Sequence, residues 1–131
     1  MTTIINGSSP SVTFSDGTTQ STAGLIGSTS QLSKAWVQFA GSSSGATINQ
    51  SYNVSSVVRN SQGNYTVNFT TPLTNAYPCV IATTNNPGNN CATINVSSIN
   101  TSSVNFSISG ITGAGNTALD ATIVSVAVFG L

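Results

Sequence analysis

The run Asn64-Tyr65-Thr66-Val67-Asn68-Phe69-Thr70 alternates apolar and polar residues without a break. Tyr65, Val67 and Phe69 fall on one side, and Asn64, Thr66, Asn68 and Thr70 on the other. A period of two built from aromatic and β-branched residues is that of a strand buried on one face. Ser61-Gln62-Gly63 just upstream supplies a turn in which Gly63 takes a positive φ without steric cost. Residues 52–59 precede that turn as a second candidate strand. Together they read as a β-hairpin with an aromatic-rich inner face.

The same period recurs along the chain. In residues 34–40, Ala35, Val37 and Phe39 share one face and Lys34, Trp36 and Gln38 the other. A Gly/Ser turn (41–45) and a short strand (47–49) follow. Pro72 lacks an N–H donor and ends the strand begun at Asn64. Residues 77–84 and 91–96 read as strands flanking the emphatic turn Asn85-Asn86-Pro87-Gly88-Asn89-Asn90. Val104, Phe106 and Ile108 alternate with Asn105 and Ser107. After a Gly-rich loop (110–116), residues 118–129 are apolar on both faces, as in a strand central in the fold or covered by a neighbouring subunit. Seven or eight strands about ten residues apart predict an all-β fold, a β-sandwich or barrel-like domain, of which the β-sandwich over residues 32–131 is the reading adopted.

Charge is nearly absent. Asp16, Lys34, Arg59 and Asp120 are the charged residues, 3% of 131, where an average domain carries about 25%. So few cations make no basic groove for nucleic acid and no polybasic membrane patch; neither nucleic acid binding nor membrane insertion is expected. The apolar fraction of 38% and the alternation argue against disorder over 32–131. With no His and two carboxylates in different segments, no acid/base pair can be named, so no enzyme is expected. Two Cys without His do not make a zinc pattern, and no metal or cofactor is expected. A simple hairpin about Pro87-Gly88 would set Cys79 against a residue near Val96 rather than against Cys91, so both read as buried free thiols.

Residues 1–31 are different in kind: rich in Ser and Thr, with Gly-containing linker sequence at 25–32 and no cationic start or apolar run of signal-peptide length. Asp16-Gly17 marks a turn.

Three stretches carry a resemblance: Lys34-Ala35-Trp36-Val37-Gln38-Phe39, then Tyr52-Asn53-Val54-Ser55-Ser56, then Gly63-Asn64-Tyr65-Thr66-Val67-Asn68-Phe69. In order, they resemble a module of bacteriophage tail-fibre and tail-tip proteins, K-A-W-V-x-F … Y-N-V-S-S … G-x-Y-x-V-x-F. The segment from Phe14 to Ala23, F-x-D-G-T-T-Q-x-T-A, is similar to a segment that joins fibre and collar proteins to the particle. The resemblance implies a homotrimeric structural protein of the virion tail, assembled in the host cytoplasm. Residues 1–31 would be an extended attachment arm with Phe14, Asp16 and Gly17 at its turn, docking on a phage tail or baseplate protein. The β domain would adsorb to a host-surface polysaccharide or protein. A capsid decoration or head-fibre protein, docking on a capsid protein, and a non-viral carbohydrate-binding module are the alternatives.

Within that reading, Trp36 and the final strand at Val124, Val126 and Val128 are the candidate oligomer interface. Trp36 opposite the apolar face must pack on something: a second core layer, a covered edge, a neighbouring subunit or a stacked sugar. Tyr77, Asn85, Asn86, Asn89 and Asn116 lie in or beside turns and are the candidate receptor contacts, although turn chemistry alone accounts for such amides.

Overall fold

The computed structural model describes residues 4–5, 12–20, 32–85, 91–112 and 115–130. Every regular element among them is a β-strand. The described part of the first 31 residues is not merely extended. Strands β1 (Ile4–Ile5), β2 (Val12–Thr13) and β3 (Thr19–Gln20) pair antiparallel as a small sheet. The β2–β3 turn closes as expected. The Asp16 carboxylate accepts from the Thr18 N–H at 2.9 Å and from the Thr18 hydroxyl at 2.7 Å, and the Gly17 N–H donates to the Phe14 carbonyl.

From residue 33 the strands are β4 (Ser33–Ser42), β5 (Gly45–Tyr52), β6 (Val54–Ser61), β7 (Asn64–Phe69), β8 (Cys79–Thr84), β9 (Ala92–Ile99), β10 (Ser103–Thr112), β11 (Gly115–Ala118) and β12 (Val124–Phe129). They form two antiparallel sheets. One has four strands in the order β5-β4-β12-β8. In the other, β10 pairs with β9 along one edge; along its other edge it pairs with β7 and, further on, with β11, while β6 lies outside β7. The two sheets share one core in a sandwich-like all-β arrangement.

The alternations read from sequence supply that core. Ala35, Val37 and Phe39 from the four-stranded sheet meet Tyr65, Val67, Phe69, Val104, Phe106 and Ile108 from the five-stranded sheet, all buried. Phe39 lies 5.1 Å from the Tyr65 ring and 6.2 Å from Phe106, and the Tyr65 and Phe106 rings are 6.0 Å apart. Tilted and offset pairs at these distances are the favoured aromatic geometries. The β6–β7 hairpin turns at Gly63 with φ 69°, and a Cβ there would come within 2.5 Å of the Ile108 carbonyl oxygen. Gly63 therefore serves both the turn and the close approach of its backbone to β10.

Three sequence expectations about connectivity change. Residues 52–59 do not form one strand: Tyr52 ends β5 in the four-stranded sheet, and the chain crosses to the other sheet at Asn53. Residues 77–84 and 91–96 do not form a hairpin, because β8 pairs with β12 and β9 with β10. The final strand begins at Val124 rather than Ala118: residues 115–118 complete a hairpin with β10, and 119–123 cross between the sheets.

The Asn53 crossing is held by one side chain. Its amide donates to the carbonyls of Lys34 (2.9 Å) and Thr71 (3.0 Å), and its Oδ1 accepts from the Thr71 N–H (2.7 Å). Its φ of 53° is left-handed, a conformation that Asn tolerates better than most residues. Asn53→Ala is expected to cost about 2 kcal/mol, combining lost bonds and backbone strain. Asn53→Gly, which accepts the φ, is expected to cost about 1 kcal/mol. Denaturant midpoints of the two variants check this; equal losses would remove the backbone part of the argument.

Candidate functional site

The two sheets turn different surfaces outward. On the five-stranded sheet the outer side chains bond to one another. The Asn60 amide donates to the Thr66 hydroxyl (2.8 Å), Thr66 to the Asn105 carbonyl oxygen, and the Asn105 amide to the Ser98 hydroxyl (2.7 Å); the Asn68 amide donates to Ser56 (3.0 Å). The chain of bonds runs from β6 through β7 and β10 to β9. This face has spent much of its polar capacity on itself.

The outer face of the four-stranded sheet is built otherwise. Register places Tyr52, Trp36, Ala127 and Ile81 in one row across β5, β4, β12 and β8. Tyr52 is 58% exposed, Ile81 55% and Trp36 38%. The adjoining row is Gln50, Gln38, Ser125 and Thr83. On the opposite side of the apolar row Phe129 pairs with Cys79, and Tyr77, 93% exposed, lies just before that strand. Of the eight aromatic residues after position 32, Phe39, Tyr65, Phe69 and Phe106 fill the core, while Trp36, Tyr52, Tyr77 and Phe129 do not. Half of the domain's aromatic residues are thus gathered on or beside one sheet face.

A groove of about 310 Å³ runs between Trp36 and Ile81. Ala127 stands between them, and its small side chain leaves the depression open. A second groove of about 440 Å³ lies at the sheet corner, where Tyr52, Lys34 and Asn53 meet residues 70–74.

The residues expected at a functional surface divide as follows. Trp36 is neither in a second core layer nor at a sheet edge: β4 lies between β5 and β12, and the Trp36 side chain lines the groove. Val124, Val126 and Val128 are buried in the core at 0–3% exposure. They have no outward surface for a neighbouring subunit, because β12 is central in its sheet and presents Ser125, Ala127 and Phe129 instead. Asn85 is occupied: its Oδ1 accepts from the Ile123 N–H (2.9 Å) and its amide donates to the Thr122 hydroxyl (3.0 Å), tying β8 to the 119–123 crossing. Asn116 belongs to β11, opposite Ile111, rather than to a loop. Asn86 and Asn89 lie outside the described residues. Tyr77 remains open to solvent. Phe14 is exposed in the N-terminal sheet, whereas the Asp16 carboxylate and the Gly17 N–H serve its turn. Cys79 and Cys91 are free thiols but exposed, not buried: Cys79 opens β8 opposite Phe129 on the outer face, and Cys91 precedes β9.

The carboxylate with the most partners has a structural task. Asp120, in the crossing, accepts from Arg59 Nε (3.0 and 3.1 Å) and Nη2 (2.8 Å), from the Gly63 N–H (3.0 Å) and from the Tyr65 hydroxyl (2.5 Å). Hydrogen bonds from Arg59, above all, hold its pKa well below the usual carboxylate range, against the effect of burial. Gly41 sits so close that a Cβ there would overlap the Tyr65 hydroxyl at 2.1 Å.

Sequence alone placed Trp36 and Gln38 on one face but missed Tyr52, Ile81, Ala127 and Gln50 as their neighbours. Cross-strand register carries that information. Comparison of the chain with protein-family models, with curated proteins and with solved structures finds no match in any of the three.

Proposed function

We propose that this chain is a structural protein of a bacteriophage virion, a short tail-fibre or tail-tip subunit. It docks on the tail through residues 1–31 and adsorbs to the host surface through the outer face of its four-stranded sheet. The observation that carries the reading is the exposed apolar row on that face, with Tyr52, Trp36 and Ile81 in it. Monomeric proteins rarely leave such a patch without a use. The resemblance supports it residue by residue. In K-A-W-V-x-F the Ala, Val and Phe are core residues, as are the Tyr, Val and Phe of G-x-Y-x-V-x-F, and the Asn of Y-N-V-S-S is the crossing residue Asn53. Trp36 is the large apolar residue of the motif that the core does not use. A fibre of several copies needs only weak contacts per copy, since avidity multiplies them.

The test is solution mass by light scattering, combined with adsorption of labelled protein to bacterial cells. It uses the full chain and a version beginning at Leu32. The expected result is a mass three times the chain mass of 13.2 kDa in both, with adsorption retained in the shorter version. A trimer only with residues 1–31 present would move assembly to the N-terminal segment. A monomer that adsorbs to no cell would overturn the reading.

A further inference from the structure

We infer that the groove beside Trp36 is a binding site for a neutral sugar ring of an uncharged surface glycan. This names the ligand class of the adsorption reading and rests on it. The groove has the form such a ring needs. Trp36 and Ile81 stand two strands apart, about 10 Å, with Ala127 in register between them as the floor. Its volume of about 310 Å³ is at the small end of small-molecule sites. A pyranose offers an apolar C–H face, which stacks on the electron-rich face of an indole, and a rim of hydroxyls that donate and accept.

The adjoining row supplies partners for that rim. Gln38 and Gln50 carry amides that both donate and accept, and Ser125 and Thr83 carry hydroxyls with the same versatility. None of these four side chains makes a hydrogen bond with another described protein group. Their counterparts on the opposite sheet, from Asn60 to Ser98, are bonded to each other. Polar side chains without a protein partner therefore lie next to the molecule's one Trp. No charged side chain lines the groove, so nothing there offsets the desolvation of a carboxylate, sulfate or phosphate. The chemistry selects an uncharged ring over an acidic one.

Trp36 is the single tryptophan, so intrinsic fluorescence of the unmodified full chain reads the groove directly. The titrants are dextran, mannan, galactan and chitin oligosaccharides as neutral ligands, and polygalacturonate as the acidic one. A saturable emission change with at least one neutral ligand and none with polygalacturonate is expected. Ala127→Leu, which fills the floor, and Gln38→Ala, an exposed truncation, are each expected to weaken that binding at least about tenfold. Thr66→Ala on the opposite sheet leaves it unchanged. No response to any neutral ligand, a response to the acidic polymer alone, or full binding by both groove variants overturns the proposal. So does a light-scattering result in which Ala127→Leu and Gln38→Ala convert an oligomer to a monomer, since the face would then be a subunit contact. Cell adsorption measured in parallel separates the two readings. Wild type and groove variants that adsorb equally would remove the sugar site and leave adsorption standing, whereas a wild type that adsorbs to no cell would remove adsorption itself.

Discussion

Asp120→Ala is expected to destabilise the β domain by about 3 kcal/mol, the range for removing one partner of a largely buried ion pair. For a domain of this size that lowers Tm by about 12–24 °C. The loss comes from what remains behind. The Arg59 guanidinium, the Gly63 N–H and the Tyr65 hydroxyl all donate to this carboxylate, and Ala offers them no acceptor. Unmade bonds to buried donors cost more than made ones contribute. The position adds to the effect, because Asp120 sits in the crossing that delivers β12 to the centre of the four-stranded sheet. Asp120→Asn keeps the shape and one acceptor, and is expected to lose about half as much. Thermal unfolding of both variants at neutral pH checks the ordering; an Asp120→Ala protein as stable as wild type would refute the pinning role.

The same carboxylate sets the acid limit. Its folded pKa is depressed, chiefly by the Arg59 hydrogen bonds. Its contribution is therefore full above the unfolded Asp value of about 3.9 and is lost as pH falls below that toward the depressed folded value. Asp16 and Asp120 are the only acidic side chains in the chain, and Asp16 is exposed in the small N-terminal sheet. Stability measured between about pH 5 and pH 2 should fall in wild type and stay nearly flat in Asp120→Asn. At the alkaline end, burial first and then the Asp120 contact raise the pKa of Tyr65. Its contribution holds below about pH 10 and fades as pH rises beyond, and Tyr65→Phe should remove that slope.

Much of the core was legible in the sequence because a period of two is local. Ala35-Val37-Phe39, Tyr65-Val67-Phe69 and Val104-Phe106-Ile108 each needed only their own segment to be assigned a buried face, and the Gly63 turn needed only its neighbours. What failed was decided by residues far apart. Tyr52 reads as the start of a strand through Arg59 because nothing local distinguishes Asn53 from the other asparagines; its role depends on the carbonyls of Lys34 and Thr71. Residues 119–123 look like a continuation of the strand because most are apolar, but Asp120 is bonded instead to Arg59, 61 positions away. The expected valine interface failed on the same ground. An apolar face can be buried by its own chain or by another, and only the opposing sheet settles which. Trp36 could be recognised as an anomaly from parity alone, yet its groove depends on Ala127 and Ile81, which only register brings beside it.

Phe39→Ala is expected to cost about 4 kcal/mol, a large part of the 5–15 kcal/mol that holds an ordinary domain together. Phe39 comes from the four-stranded sheet and meets both Tyr65 and Phe106 of the other. Truncating it opens a cavity where the sheets are joined, rather than at one edge where strands could close in. Phe39→Leu restores most of the volume and is expected to cost about 1–2 kcal/mol, since the ring pairs are still lost. The Tyr65 ring that packs on Phe39 also carries the hydroxyl that donates to Asp120, so packing and polar pinning share one side chain. A Tyr65 ring free to move into the cavity no longer holds its hydroxyl at 2.5 Å from the carboxylate. The cycle of Phe39→Ala with Tyr65→Phe should therefore be non-additive by about 1 kcal/mol, the combined variant losing less than the two separate losses together. Strict additivity in denaturant unfolding would mean that the aromatic core and the Asp120 cluster stabilise the sandwich independently, and that the crossing to β12 is held by its hydrogen bonds alone.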